Sequence, residues 1–168
     1  MKKLMMAVLV FSVLTTVAHA QATPVADVAG GFSVIQVAKG FNVTAYGGSG
    51  SVALNVNNWL GAVGDFGIYY ASAFAPGPAA GTYTFGPRFS YRHWGRFTPF
   101  AQALLGGVRY ANNGLAFGAG GGADIGLDNG GRFALRPQVE YFGFRANGNT
   151  TDTVRFSVGV VFRIGKKS

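Results

Sequence analysis

The chain contains no cysteine. Disulfide bonds, thiolate catalysis and cysteine metal sites are therefore excluded, and packing and hydrogen bonds must hold the fold together. Charged residues are also scarce, at 12% of the chain, whereas 15 phenylalanines, 7 tyrosines and 27 glycines are present. So few charges do not describe a surface that faces water everywhere, which indicates that something other than water covers part of it.

Long apolar runs are missing as well. Beyond residue 20 there is no run of about 18 apolar residues, which excludes membrane-spanning helices from that part of the chain. In a bilayer, the structure other than helices that satisfies every backbone hydrogen bond is a closed β-barrel. The absences together therefore favour a β-barrel.

Residues 1–20 have the pattern of a secretory signal peptide. Lys2 and Lys3 form a basic start, Leu4 to Val17 is apolar, and Ala18-His19-Ala20 is a small-residue cleavage site. A membrane anchor is the alternative, but about fourteen apolar residues are fewer than the roughly twenty that span a bilayer. We therefore expect export, cleavage after Ala20 and a single barrel domain over 21–168.

The exported part carries 12 basic and 6 acidic residues once Lys2 and Lys3 are removed, a net charge of +6. The basic residues are scattered, their longest run is Lys166-Lys167, and aromatic residues do not interleave with them. Nucleic-acid binding is therefore not supported. Contact with anionic lipid headgroups at a membrane rim fits this distribution better.

Apolar and polar residues alternate with period two in several segments, which is the pattern of a strand with two different faces. Alternation is clearest in Val154–Ile164, where every even position is apolar, and in Phe133–Tyr141, where Pro137 predicts a local bulge. Both faces of Phe97–Tyr110 are apolar or small, so the alternation does not show which of its residues point inward, and its phase is open. The remaining predicted strands are Val28–Ile35, Ser51–Asn57, Leu60–Tyr70, Thr82–Arg92 and Leu115–Ile125.

Connections of alternating length are expected, because short periplasmic turns and longer outer loops take turns in such barrels. Both chain ends then lie on the periplasmic side. Short turns are predicted at Asn57-Asn58, Arg92–Arg96 and Asp128–Gly131. The outer links are predicted at Gln36–Gly50, Ala71–Gly81 and Ala146–Thr151, with a short fourth at Ala111–Gly114.

The sequence thus predicts an all-β fold, an eight-stranded antiparallel up-and-down transmembrane β-barrel. Bulky Phe, Tyr and Val occupy the apolar faces, so we place these faces against lipid. The opposite faces mix Gly, Ser and Thr with charges that can fill a narrow lumen. The alternative is a soluble periplasmic up-and-down barrel that binds a small apolar ligand, with the two faces reversed.

Four segments carry a resemblance to a known family: Val28–Val34, Phe85–Tyr91, Phe97–Gln102 and Val154–Ile164. Over about Val25 to Ile164 the chain resembles the small bacterial outer-membrane β-barrels of the OmpA/OmpX type. The resemblance implies an outer-membrane location, contact with outer-membrane lipids and lipopolysaccharide, and the barrel-assembly machinery as a partner during biogenesis. The last strand of such barrels usually ends in an aromatic residue, whereas two residues and a Gly-Lys-Lys-Ser tail follow Phe162 here.

The lumen of an eight-stranded barrel is just wide enough for side chains to fill, so charges on its wall must pair. Counting from the predicted turns places three acidic residues against three arginines. Two roles are open for them: a gate that admits ions when partners exchange, as similar barrels suggest, or a structural plug whose pairs compensate burial. The predicted pairs are Glu140 with Arg155, Asp65 with Arg88, and Asp124 with Arg136.

Amphipathic aromatic residues lie near several predicted strand ends. Trp59, Trp94 and the pair Tyr69-Tyr70 are predicted to anchor the barrel at the level of the lipid headgroups. A platform that stacks bases or sugars is the alternative interpretation.

Some small barrels of this kind resemble lipid A acyltransferases, deacylases or proteases. Such enzymes need a positioned histidine with Ser, Asp or Glu. The exported part contains one histidine, His93, in a predicted periplasmic turn. Gly118–Gly122 resembles a nucleotide-binding loop only superficially, because no Lys-Ser or Lys-Thr follows it. We therefore predict no catalytic residue, no metal site, no cofactor, and a structural or minor pore function.

Overall fold

The computed structural model describes residues 24–37, 44–71, 80–109, 113–129, 131–146 and 149–165. No helix that could cross a membrane is found among them. The predicted signal peptide, 1–20, lies outside the described residues. The eight strands are β1 (Ala26–Val37), β2 (Thr44–Asn55), β3 (Leu60–Ala71), β4 (Ala80–Ser90), β5 (Phe97–Arg109), β6 (Asn113–Gly126), β7 (Phe133–Ala146) and β8 (Asn149–Ile164).

The strands form one closed barrel in which each strand pairs antiparallel with the next one along the chain. The barrel closes through β1 and β8, where Val28 lies opposite Phe162 and Gln36 opposite Val154. Closure leaves no strand edge without a partner. The predicted fold class, an eight-stranded up-and-down barrel, is confirmed.

The two faces of the wall differ in chemistry as the alternation predicts. In β8, Phe156 and Val158 are each more than half exposed, whereas Arg155, which directly precedes Phe156, is only 1% exposed. Apolar residues thus point outward and polar ones inward. A soluble carrier of an apolar ligand would need the reverse arrangement.

We call the end of the barrel that carries both described chain ends the turn end, and the opposite end the loop end. At the turn end the Asn57 side chain accepts hydrogen bonds from the backbone N–H groups of Trp59 and Leu60, at 2.9 and 2.7 Å. The Asp128 carboxylate accepts similar bonds from Arg132 and Phe133. The short turns predicted at these two places are therefore confirmed.

The predicted outer links at Gln36–Gly50 and Ala146–Thr151 are wrong in their bounds. The segment from Ala45 to Gly50 belongs to β2, where Gly47 is a site of close approach to the neighbouring strand. A Cβ atom added at Gly47 would lie 1.9 Å from the carbonyl oxygen of Ile68 on β3. At the last link, β7 continues to Ala146 and β8 begins at Asn149.

Two further local expectations are settled by the register. The bulge expected at Pro137 is not formed, since Gln138 pairs with Gly122 and Leu135 with Ile125 in one unchanged register. A proline on the outward face costs one ladder hydrogen bond without shifting the strand. In β5 the open phase is resolved, because the even positions of Thr98–Leu104 point inward.

Candidate functional site: the lumen charge network

Arg155 on β8 is the centre of the ionic contacts in the loop-end half of the lumen. Its Nε donates to Glu140 Oε2 at 2.7 Å, and one terminal nitrogen donates to Asp65 Oδ1 at 2.7 Å and to the Tyr69 hydroxyl at 2.8 Å. The guanidinium also lies over the Phe142 ring, 4.8 Å from its centroid. One cation therefore links β3, β7 and β8 across the lumen.

Glutamine side chains extend this network around the wall. The Gln102 amide donates to Glu140 at 2.6 Å, and Gln138 donates to the same carboxylate at 3.1 Å. Gln102 in turn accepts a hydrogen bond from Arg88 Nε at 2.7 Å. Glu140 is thus held by one cation and two amides, which satisfies a carboxylate that is only 1% exposed.

A second ionic cluster lies closer to the turn end. Arg136 donates to both carboxylate oxygens of Asp124, at 2.6 and 2.8 Å, in the bidentate geometry that makes such pairs strong. Arg163 approaches the same carboxylate at 3.5 Å. The Phe100 ring lies 4.9 Å from the Arg136 guanidinium and 4.6 Å from that of Arg88, so two arginines share one ring.

A third cluster closes the turn end itself. Arg92 donates to Asp27 at 3.1 Å and to the Asn55 side chain at 3.0 Å. Asn55 donates to Asp27 at 3.1 Å and to the Pro24 carbonyl at 3.0 Å. These four contacts join the start of β1, the end of β2 and the connection after β4.

A small cavity lies beside the charged clusters. A cavity of about 20 Å³ lies between Ser51, Asp65 and Arg136 and has room for about one water molecule. Four of the acidic side chains, those of Asp27, Asp65, Asp124 and Glu140, are at most 2% exposed. The arrangement fits a packed plug.

The outward surface is apolar along the strands and aromatic at the turn end. Trp59 stacks on Phe89 with ring centroids 5.9 Å apart, and Trp94 stacks on Phe97 at the same distance. Rings of this kind at the end of an apolar band are typical of the interface girdles of membrane barrels.

No protein-family description and no curated protein matches this chain. Several solved structures share its fold, among them the following three. Neisserial surface protein A aligns with a TM-score of 0.69 and 11% identity, over 86% of this chain and 100% of its own. Ail of Yersinia pestis aligns with a TM-score of 0.57 and 15% identity, over 83% and 97%. The N-terminal β-barrel domain of Pseudomonas aeruginosa OprF aligns with a TM-score of 0.55 and 13% identity, over 84% and 100%.

The chain has the fold of the small outer-membrane β-barrels. At the level of the fold, the predicted resemblance to barrels of the OmpA/OmpX type is therefore confirmed. Because the identities are below 25%, what these barrels bind or do does not transfer with the fold.

This barrel brings together two of the three charge pairs predicted from the turns. Glu140 lies directly opposite Arg155 in the β7–β8 register, and Asp124 contacts Arg136. The third pair, Asp65 with Arg88, is not formed. Asp65 lies opposite Thr84, so the register of β3 and β4 differs by four residues from the one obtained by centring their link on Pro76-Gly77.

The interface aromatics divide between the two faces of the wall. Trp59, Trp94 and Tyr70 point outward and are each more than half exposed. The prediction that Tyr69 also lies at the interface is wrong, since it is 1% exposed and its hydroxyl meets Arg155. Successive residues of a strand point to opposite faces, so Tyr69 and Tyr70 cannot both face the lipid.

His93 lies exposed in the connection between β4 and β5, with its ring 4.9 Å from that of Tyr91. Within the described part of the chain, no group of three or more His, Cys, Asp or Glu side chains could hold a metal ion. The absence of catalysis and of a cofactor stays a prediction.

Several lumen residues were not singled out from the sequence. Asp27 is missed because it precedes the weakly alternating segment Val28–Ile35, and Arg92 because it falls in the predicted turn Arg92–Arg96. Gln102 escaped because the phase of its strand was open. The even positions of β5 do contain a signal, since they include the polar residues Thr98 and Gln102, which both point inward.

Proposed function

We propose that the exported chain spans the bacterial outer membrane and has a structural role, with its lumen closed by paired charges. One observation carries this proposal: the wall is apolar outside and charged inside. Thirty large hydrophobic side chains are exposed on the described part of the barrel, among them Phe32, Phe85 and Val158, each more than half exposed. In water so much apolar surface would favour aggregation, whereas a bilayer covers it.

The ionic contacts support the structural role. Carboxylates that leave water need compensation, and Asp27, Asp65, Asp124 and Glu140 each contact an arginine. These pairs join strands that are distant in sequence, such as β3 with β8. They therefore brace the barrel across its lumen as well as filling it.

The test is fractionation of cells that express the full chain, followed by gel mobility of boiled and unboiled samples. We expect the protein in the outer-membrane fraction, with a mobility that changes on boiling. A soluble periplasmic protein with one mobility would overturn the proposal, and a search for a bound apolar ligand would replace it.

A minor pore is the second candidate, and the position of Arg88 favours it. Arg88 is as buried as Arg155 but contacts an amide, Gln102, where Arg155 contacts two carboxylates. An arginine that contacts no carboxylate can replace Arg155 as the partner of Glu140. Gln102, which contacts both Arg88 and Glu140, lies between them. We expect the Glu140→Ala variant to conduct ions across planar bilayers more often than the parent protein. Arg145→Gln, at an exposed position, serves as the control. Equal conductance in the parent protein and in Glu140→Ala would contradict the gate.

The remaining aspects of the proposal follow from the predicted location. The chain would be exported by the signal peptide at 1–20 and inserted by the barrel-assembly machinery. It would contact outer-membrane lipids and lipopolysaccharide, would not bind nucleic acid, and would not act as an enzyme. Loss of mature protein from the membrane fraction when the assembly machinery is depleted would support the insertion route.

A further inference from the structure

A groove of about 650 Å³ crosses the outward face of β2 to β5 near the loop end. Four residues in register form a row along it, one on each strand. Gly48 pairs with Ile68, Ile68 with Gly81, and Gly81 with Arg109. The volume lies within the range of small-molecule binding sites.

The groove exists because two positions of this row have no side chain. A Cβ atom added at Gly48 would meet nothing closer than the Gly31 carbonyl oxygen at 3.8 Å, and one at Gly81 nothing closer than the Arg109 carbonyl oxygen at 3.9 Å. Both positions are therefore open to the outside. The backbone and the Ile68 side chain make an apolar floor.

Aromatic residues border this floor on the side toward the turn end. Phe66 packs edge to face on Phe85, with ring centroids 5.7 Å apart. Tyr83 lies over Gly107 on β5, where an added Cβ atom would be 2.4 Å from its ring. The Tyr83 ring is thus held toward β5, so the space above Gly81 stays open.

Arg109 supplies the one charged group among the residues that line the groove. It is the last residue of β5, it is exposed, and it follows the outward phase of Ala101, Ala103 and Leu105. None of the ion pairs formed within the described residues includes Arg109. A guanidinium at the end of an apolar band lies at headgroup level and matches a phosphate in geometry and charge.

We propose that this groove binds a lipid with a phosphate headgroup, with an acyl chain on the floor at Gly48 and Gly81 and the phosphate on Arg109. The inference rests on the proposed membrane location. It goes beyond general contact with a bilayer, because it assigns one lipid site to four strands of the wall.

The test is native mass spectrometry of the folded, full mature barrel in detergent, titrated with phosphatidic acid or with diacylglycerol that has the same acyl chains. We expect phosphatidic acid to bind at least about tenfold more tightly, since charge-assisted hydrogen bonds contribute most of the difference. The Arg109→Gln variant should lose this preference. The Gly48→Leu variant, which fills the floor without meeting the backbone, should bind both lipids more weakly.

Two matched variants serve as controls. Arg145→Gln removes an exposed arginine at the loop end of β7, and Ala119→Leu enlarges an exposed wall residue on β6; both should bind like the parent. Equal weakening in Arg109→Gln and Arg145→Gln, or unchanged binding in Gly48→Leu, would overturn the lipid site. A barrel that folds with a mobility shift but shows no lipid preference refutes this site alone. A chain that does not fold in detergent refutes the membrane barrel itself.

Discussion

Arg155 and Arg88 are both only 1% exposed, yet their surroundings differ. Arg155 contacts two carboxylates and a phenol, whereas Arg88 contacts one amide and one aromatic ring. No described residue accepts a hydrogen bond from the terminal nitrogens of Arg88. Equal burial therefore does not imply equal stabilisation, because the partners of a buried charge decide what it contributes.

The largest effect is expected when Arg155 itself is removed. Arg155→Met leaves the carboxylates of Asp65 and Glu140 buried without their cation, which should lower the free energy of unfolding by about 3–5 kcal/mol. The urea midpoint of the folded barrel in detergent measures this. Arg145→Met, at an exposed rim position, should stay within about 0.5 kcal/mol of the parent. An equal loss in both variants would show that Arg155 stabilises the barrel no more than an exposed arginine does.

Removal of one partner of Arg155 should have a smaller effect. Glu140→Ala leaves Arg155 with Asp65 and Tyr69, so we expect a loss of about 2–3 kcal/mol, again from the urea midpoint. Glu140→Gln retains the side-chain volume, so its comparison with Glu140→Ala separates the effect of the lost charge from that of the cavity. An unchanged midpoint in Glu140→Ala would show that this pair does not stabilise the barrel.

The hydroxyl of Tyr69 gives a finer test of the same cluster. Tyr69→Phe removes one acceptor from Arg155 and should lower the stability by about 1 kcal/mol. The neighbouring Tyr70→Phe, on the outward face, is the matched control and should unfold like the parent. If Tyr70→Phe destabilised the barrel more, the assignment of the two rings to opposite faces would be wrong.

No loss of stability is expected when Arg88 is replaced. Arg88→Met replaces a buried charge that lacks a carboxylate with an apolar side chain of similar length. The variant should match the parent or be more stable by about 1 kcal/mol in the same urea titration. A loss as large as that of Arg155→Met would mean that Arg88 has a partner as strong as those of Arg155.

The difference between the two arginines also explains what could be predicted from the sequence. The sequence predicts that Glu140 lies opposite Arg155 because the link between their strands is so short that its centre is unambiguous. The predicted pair of Asp65 with Arg88 is wrong because the longer link after β3 does not define the register of β3 and β4. Alternation predicts which face of the wall a residue occupies, as at Asp65. Its partner on the neighbouring strand can be predicted only from the length and centre of the link between the two strands.

The lipid groove lies beyond sequence prediction for a different reason. Gly48, Gly81 and Arg109 are far apart along the chain and become neighbours only through three consecutive registers. Tyr69 shows the same limit on a smaller scale. Its hydroxyl reaches Arg155 across the lumen, and no local pattern marks a contact between β3 and β8.

The pairing of β1 with β8 has a kinetic consequence. Asp27 and Arg163 lie in the first and last strands, so the contact that closes the barrel cannot form until synthesis of the last strand is complete. Contacts of such separation make folding slow. Until then β1 and β7 present unpaired edges that can aggregate. A chain of this topology must therefore keep these two edges away from its own copies until the last strand has paired.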